Sequence, residues 1–174
     1  MKTLVIVSHP YPEKSFAINK LSQITATLPE VTVRDLESLY GNDINKFDVN
    51  AEQAAADAAD RIVFMFPVHW FNLTPMLKAY LNEVWTYGWA FGPEGHALKG
   101  KEMLVVTTAG ASQYTYSIEG LIESTIEAVL TPMKASALYV GMNYSQPLAF
   151  YEAMGASPEK LEEMQAALLA RLTA

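Results

Sequence analysis

The chain contains no cysteine. That excludes disulfides, thiolate catalysis and cysteine-ligated metal clusters. No apolar run approaches the ~20 residues that span a bilayer. Met1-Lys2 leads straight into a short apolar run, without the separate charged, apolar and cleavage regions of a secretory signal. Both absences fit a cytoplasmic protein. Positive charge is scarce as well: 12 Lys and Arg stand against 19 Asp and Glu, a net charge of −7. Nucleic acid and anionic membrane surfaces meet general repulsion, so an anionic ligand must be held by local donors. His9, His69 and His96 lie far apart without ligand spacing, and no metal site is expected. Three motifs are missing. There is no G-x-G-x-x-G after a strand for dinucleotides, no G-x-x-x-x-G-K-[ST] for nucleotide triphosphates, and no G-x-S-x-G for an esterase.

What is present suits a well-cored globular protein. The 174 residues are 51% hydrophobic and 18% charged, enough for one domain (1–174) burying roughly 70% of its unfolded surface. Short apolar runs alternate with helical patterns. Strands are expected at 3–7, 31–36, 61–66, 102–108 and 137–141. Ala17, Leu21, Ile24 and Leu28 recur at helical spacing and Pro29 ends that helix. Residues 37–50 read as mostly loop, and the alanine-rich 51–59 as a helix. Met76, Leu77, Tyr80, Leu81, Val84 and Trp85 mark the next helix, followed by a glycine- and aromatic-rich loop, 86–100. Ile118, Leu121, Ile122, Ile126 and Val129 mark a further helix that Pro132 stops, and Ser157-Pro158 caps the last. Five strands alternating with five helices imply an α/β fold, a doubly wound parallel sheet covered on both faces.

In such a sheet ligands bind at the carboxyl ends of the strands, where three loops qualify. In the first, running from Ser8 to Ala17, Ser15 is the candidate N-cap. The amides of Phe16, Ala17 and Ile18 would then be unpaired and make an anion site with the helix dipole. His9 could add a hydrogen bond or charge, although an ordinary capped helix is the plain alternative. The second, Pro67-Val68-His69-Trp70-Phe71, lies between an apolar strand and the Thr74-Pro75 helix start. Its aromatics could wall a flat conjugated molecule, or be core or subunit contacts. The third follows Thr107-Thr108, where Ala109 and Gly110 let backbone approach a ring and Tyr114 and Tyr116 stand near. An anion cradle, an amide-lined aromatic wall and a small-residue floor match a phosphorylated planar cofactor such as FMN.

At these residues the chain resembles the flavodoxin-like NAD(P)H:quinone oxidoreductases, the DT-diaphorase family. It is most similar to the short bacterial members of the modulator of drug activity B and potassium-efflux ancillary types. The resemblance rests on Ser8-His9-Pro10 with Ser15-Phe16-Ala17, on Phe66 to Phe71 running into Thr74-Pro75-Met76-Leu77-Lys78, on Gly88-Trp89-Ala90-Phe91-Gly92, and on Thr107-Thr108-Ala109-Gly110. It implies a three-layer sheet with strand order 2-1-3-4-5 and a homodimer with a flavin near each interface. By position, His9 and Ser15 to Ile18 would hold the ribityl-phosphate. Pro67 to Phe71 and Thr107 to Gly110 would hold the isoalloxazine. Trp70 would shape a substrate pocket to which the partner adds Trp89 and Phe91.

The family's usual Gly-Gly after Thr-Thr begins here with Ala109, and its active-site histidine falls at Ile122, which cannot hydrogen-bond. Tyr116, or Tyr114, remains the proton-donor candidate. The implied cofactor is FMN, with FAD the alternative, and the cosubstrate NADH or NADPH. The implied activity is ping-pong reduction of quinones or related electrophiles. Two other readings stand beside it: a regulatory flavoprotein peripherally bound to a membrane potassium transporter, and a flavodoxin-like electron carrier.

Overall fold

A computed structural model describes residues 1–174. Strands β1 (Thr3–Val7), β2 (Val31–Asp35), β3 (Arg61–Pro67) and β4 (Glu102–Thr108) pair in parallel in the order β2-β1-β3-β4. The fifth position is shared by two short strands, β5 (Asn143–Tyr144) and β6 (Leu148–Phe150), which pair with successive halves of β4. The order is thus the flavodoxin-like one.

Side-chain alternation assigns the two faces. Leu4, Ile6, Ile62, Phe64, Phe66, Met103 and Val105 point to one core, covered by α2 (Leu36–Tyr40), α3 (Val49–Asp57), α4 (Pro75–Val84) and α6 (Thr131–Tyr139), with α5 (Ile126–Val129) short beside it. Val5, Val7, Val63, Met65, Leu104 and Val106 point to the other, covered by α1 (Phe16–Thr25) and α7 (Pro158–Thr173). Strands buried on both faces explain why their sequences are continuous apolar runs rather than alternating ones.

Three expected elements lie elsewhere. Residues 137–141 are not the fifth strand. Met133, Ala137 and Val140 are buried at helical spacing, Leu138 and Tyr139 are exposed, and the run forms the end of α6. Pro132 therefore does not stop a helix; it sits in the first turn of α6, where its missing N–H costs nothing. The expected helix over 118–129 survives only as α5, because Ile118 and Leu121 face solvent and 112–123 is a chain of turns. Gly120 is needed there, since a Cβ would strike the Tyr114 carbonyl oxygen. Residues 37–50, read as loop, hold most of α2, a 3-10 turn at Ile44–Lys46 and the start of α3. Asp35 and Asp48 accept amide hydrogens as N-caps for α2 and α3.

Two ion pairs tie the helices to the sheet. At the amino ends of β3 and β4, Arg61 Nε donates to Glu102 Oε2 at 2.7 Å, and Arg61 also donates to the Leu172 carbonyl near the end of α7. On the opposite face, Glu52 of α3 is fully buried. It accepts both from Arg34 of β2, at 2.8 and 2.9 Å, and from the Tyr40 hydroxyl of α2, at 2.5 Å. Glu52→Ala leaves Arg34 uncompensated and is expected to lower unfolding free energy by about 3–5 kcal/mol, measured by urea denaturation.

Candidate active site

The sheet's parallel register delivers three loops to one edge. Beyond β1 the Ser8 amide donates to Met65 O at 3.0 Å. Beyond β3 the Val68 amide donates to Thr108 O at 2.9 Å, and beyond β4 the Ala109 amide donates to Phe150 O at 2.8 Å. Each ladder therefore runs one step past its strand and fixes the root of a loop. Between the loops lies a cavity of about 640 Å³, within the size range of cofactor sites. It is lined by His9 and Ser15 to Ile18 of the first loop, Pro67 to Trp70 of the second, and Thr108 to Gly110 of the third.

The first loop forms an anion cradle. Ser15 occupies the N-cap of α1 but makes no capping bond with its side chain. Its Oγ is buried and has no partner at all. Buried hydroxyls are almost always bonded, so this one is arranged for something outside the protein. The amides of the first turn, at Phe16, Ala17 and Ile18, have no intrahelical acceptor. His9 joins them. Its Nδ1 accepts the Tyr11 amide at 3.1 Å, which requires the neutral ring with its proton on Nε2. Nε2–H is then left as a donor.

The second loop is a strained turn. Trp70 and Phe71 have φ of +48° and +60°, and the Asn72 amide donates to His69 O at 3.2 Å. Two successive positive φ values closed by that bond match a type I′ turn. Neither residue is glycine, so each costs about 1–2 kcal/mol. The amides of Trp70 and Phe71 have no acceptor in the protein, while His69 is bridged to Asn72 across the turn, and Trp70 is 91% exposed. The third loop supplies the floor. A Cβ at Gly110 would meet only Met154 Cε, at 3.8 Å, so the space it leaves belongs to the cavity.

Some expected site residues lie outside the cavity. Thr107 is buried and donates to Phe66 O at 2.7 Å, locking β3 to β4. Phe71 packs on Tyr116, 6.0 Å between ring centres, and Tyr116 packs in turn on Tyr151. Tyr116 is buried and burial raises its pKa. Tyr114 is exposed and its hydroxyl donates to Glu119 O at 3.0 Å. Neither tyrosine lines the cavity. Trp89 Nε1 donates to Asp57 at 3.2 Å, while Phe91 packs against Tyr87 and Tyr139 beside a second opening of about 800 Å³. Conversely, Tyr11, Lys14, Ala153, Met154 and Gly155 line the main cavity without having been singled out. Tyr11 and Lys14 fall within the first loop and were legible by position. The 153–155 segment belongs to the connection after β6, a strand that the sequence pattern did not reveal.

The family model for the Flavodoxin-like fold named Flavodoxin_2 matches residues 1–172. The chain belongs to the Flavodoxin_2 family. This member is 40% identical over 163 residues to the uncharacterized NAD(P)H oxidoreductase YdeQ of Bacillus subtilis (strain 168), covering 94% of the chain and 82% of that relative. Among solved structures, one described as a thermophilic tryptophan halogenase from Streptomycin violaceusniger superposes with a TM-score of 0.93 at 34% identity, covering 98% of both chains. General stress protein 14 of Treponema denticola, in complex with FMN, gives 0.89 at 33% identity, covering 99% of this chain and 97% of the other. An NADPH-quinone reductase from P. pentosaceus gives 0.87 at 27%, covering 97% and 95%.

The cavity's electrostatics yield a pH signature. The His9 and His69 rings meet edge to face, 5.5 Å between centres. Burial lowers both pKa values below 6.5. The His69 charge pushes His9 further down, and Glu13 and Asp35 oppose the shift. The folded state thus prefers both rings neutral. Their contribution to stability is complete above pH 6.5 and is lost as pH falls through the lowered folded values. Ring-proton NMR titration of the free protein is expected to place both midpoints below 6.5, with inorganic phosphate moving the His9 midpoint upward.

Proposed function

We propose that this Flavodoxin_2 protein is an FMN-dependent NAD(P)H oxidoreductase that reduces quinones or related electrophiles and works as a homodimer. The observation that carries the reading is the partnerless Ser15 Oγ at the open first turn of α1, on the lining of the cavity whose wall also holds the unpaired Trp70 amide. A phosphate satisfies the first set of donors, and the carbonyl and nitrogen edge of a flavin satisfies the second. The NAD(P)H oxidoreductase, FMN-complex and quinone-reductase descriptions of its relatives support the same reading. The halogenase description of another neighbour adds no feature that this cavity requires.

When bound, FMN supplies a two-electron carrier, so that NAD(P)H, a proton and a quinone give NAD(P)⁺ and a hydroquinone in two half-reactions. The chain's own residues bind and orient. Ser15 Oγ, the amides of Phe16 to Ile18 and His9 Nε2–H hold the phosphate. They do so locally, because a net charge of −7 does not attract it. The open amides of Trp70 and Phe71 would offset negative charge on a flavin held beside them. Trp70 shapes the slot in which nicotinamide and quinone take turns. A second copy would cover the exposed Trp70, Tyr87, Leu121 and Tyr139, whose large apolar side chains would otherwise face water.

Purified protein is expected to quench FMN fluorescence on binding and to catalyse NAD(P)H-dependent benzoquinone reduction with parallel double-reciprocal lines. Ser15→Ala removes a hydrogen bond to a charged group and is expected to raise the FMN Kd about tenfold. Absence of both FMN binding and NAD(P)H oxidation would sink the reading. Light scattering at twice 19.2 kDa is expected for the dimer, and a monomer mass would remove that part of it.

A further inference from the structure

Behind the cavity lies a carboxylate that the proposed chemistry does not use. Glu37, in the first turn of α2, is only 7% exposed and does not line the cavity. It takes part in none of the ion pairs. Its Oε1 accepts from Ser8 Oγ at 2.8 Å and its Oε2 from the His9 amide at 3.0 Å. Ser8 Oγ also meets Thr74 Oγ1 at 2.5 Å. A serine hydroxyl carries one proton, and Ser8 gives its proton to Glu37. Thr74 must therefore donate to Ser8. Thr74 Oγ1 in turn accepts the Leu77 amide at 3.4 Å as the N-cap of α4. A single direction runs along the chain from Thr74 through Ser8 to Glu37, which accepts at its end.

The placement of these groups is informative. Ser8 and Thr74 are fully buried. Ser8 is the root of the first loop and Thr74 closes the second. A buried carboxylate without a cation is costly to the fold, and its place in the first turn of α2 offsets only part of that cost. The two cavity loops do require a common anchor. We propose that Glu37 is a positioning residue for the cofactor cavity. Through Ser8, Thr74 and the His9 amide it holds the roots of the first and second loops together, so that the α1 amides and the turn at Trp70 face one ligand. The ligand's identity rests on the FMN reading; the loop geometry does not.

The test uses the full chain and two readouts, FMN affinity by fluorescence quenching and amide hydrogen exchange of residues 66–78 without flavin. Glu37→Ala and Ser8→Ala are expected to weaken FMN binding at least tenfold and to speed exchange of the bonded Val68 and Leu77 amides. Glu37→Gln can still accept from His9 and bond to Ser8, and is expected to stay within threefold of wild type. Arg61→Met, at the opposite end of the sheet, is expected to lower the thermal midpoint while leaving FMN affinity within twofold. The proposal is overturned if Ser8→Ala and Glu37→Ala bind FMN within twofold of wild type with unchanged exchange. It is equally overturned if Arg61→Met loses affinity in proportion to stability. Should Glu37→Ala not fold, Ser8→Ala decides by the same criteria. Should the wild type not bind FMN, the cofactor reading falls and the exchange data alone decide whether Glu37 holds the loops.

Discussion

Everything at the functional edge depends on the parallel pairing of β1, β3 and β4. Val7 lies beside Met65, and Met65 beside Val106. β1 stops there, β3 and β4 pair on to Pro67 and Thr108, and a further hydrogen bond beyond each strand carries the order into the loops. The force behind that alignment is hydrophobic burial on both faces. A one-residue slip in β3 would exchange Phe64 and Phe66 for Val63 and Met65 and unmake both cores at once. Loop placement is thus set by packing well away from any ligand.

Within that frame the edge holds several local costs together. Ser15 Oγ is buried and unpaired, Trp70 and Phe71 sit in left-handed backbone, and Glu37 is buried without a cation. Each would be poor design in a purely structural element. They cluster where one anionic planar ligand would resolve the first, exploit the second and rely on the third. The surrounding structure over-determines them. Val68 is tied to Thr108 on one side of the turn, and Thr74 caps α4 on the other.

The parts that could be read from the sequence are those whose signal is local. β1, β3 and β4 are short apolar runs, and Thr74-Pro75 marks the start of α4 whatever its surroundings. The three loops followed from those strands, and most of the candidate cofactor residues indeed line one cavity. The misread parts are those where local pattern is degenerate. Ala137 to Gly141 is apolar enough for a strand, and only its tertiary partners select a helix end. β5 and β6 are too short, at two and three residues, to carry a periodicity. Glu37 looks like any surface acid in a polar stretch. Its meaning comes from Ser8, 29 positions before it, and from Thr74, 66 positions beyond Ser8, through two hydrogen bonds. Tyr116 lay in the right loop, but its ring turns toward Phe71 and Tyr151 rather than the cavity.

The type I′ turn at 69–72 separates two kinds of heritable information. Its open donors are main-chain groups, present whatever the side chains are, while the ring of Trp70 projects outward and touches little else in the chain. On the proposed reading, a substitution at Trp70 that tolerates positive φ would change the surface met by an electron acceptor and leave the main-chain donors in place.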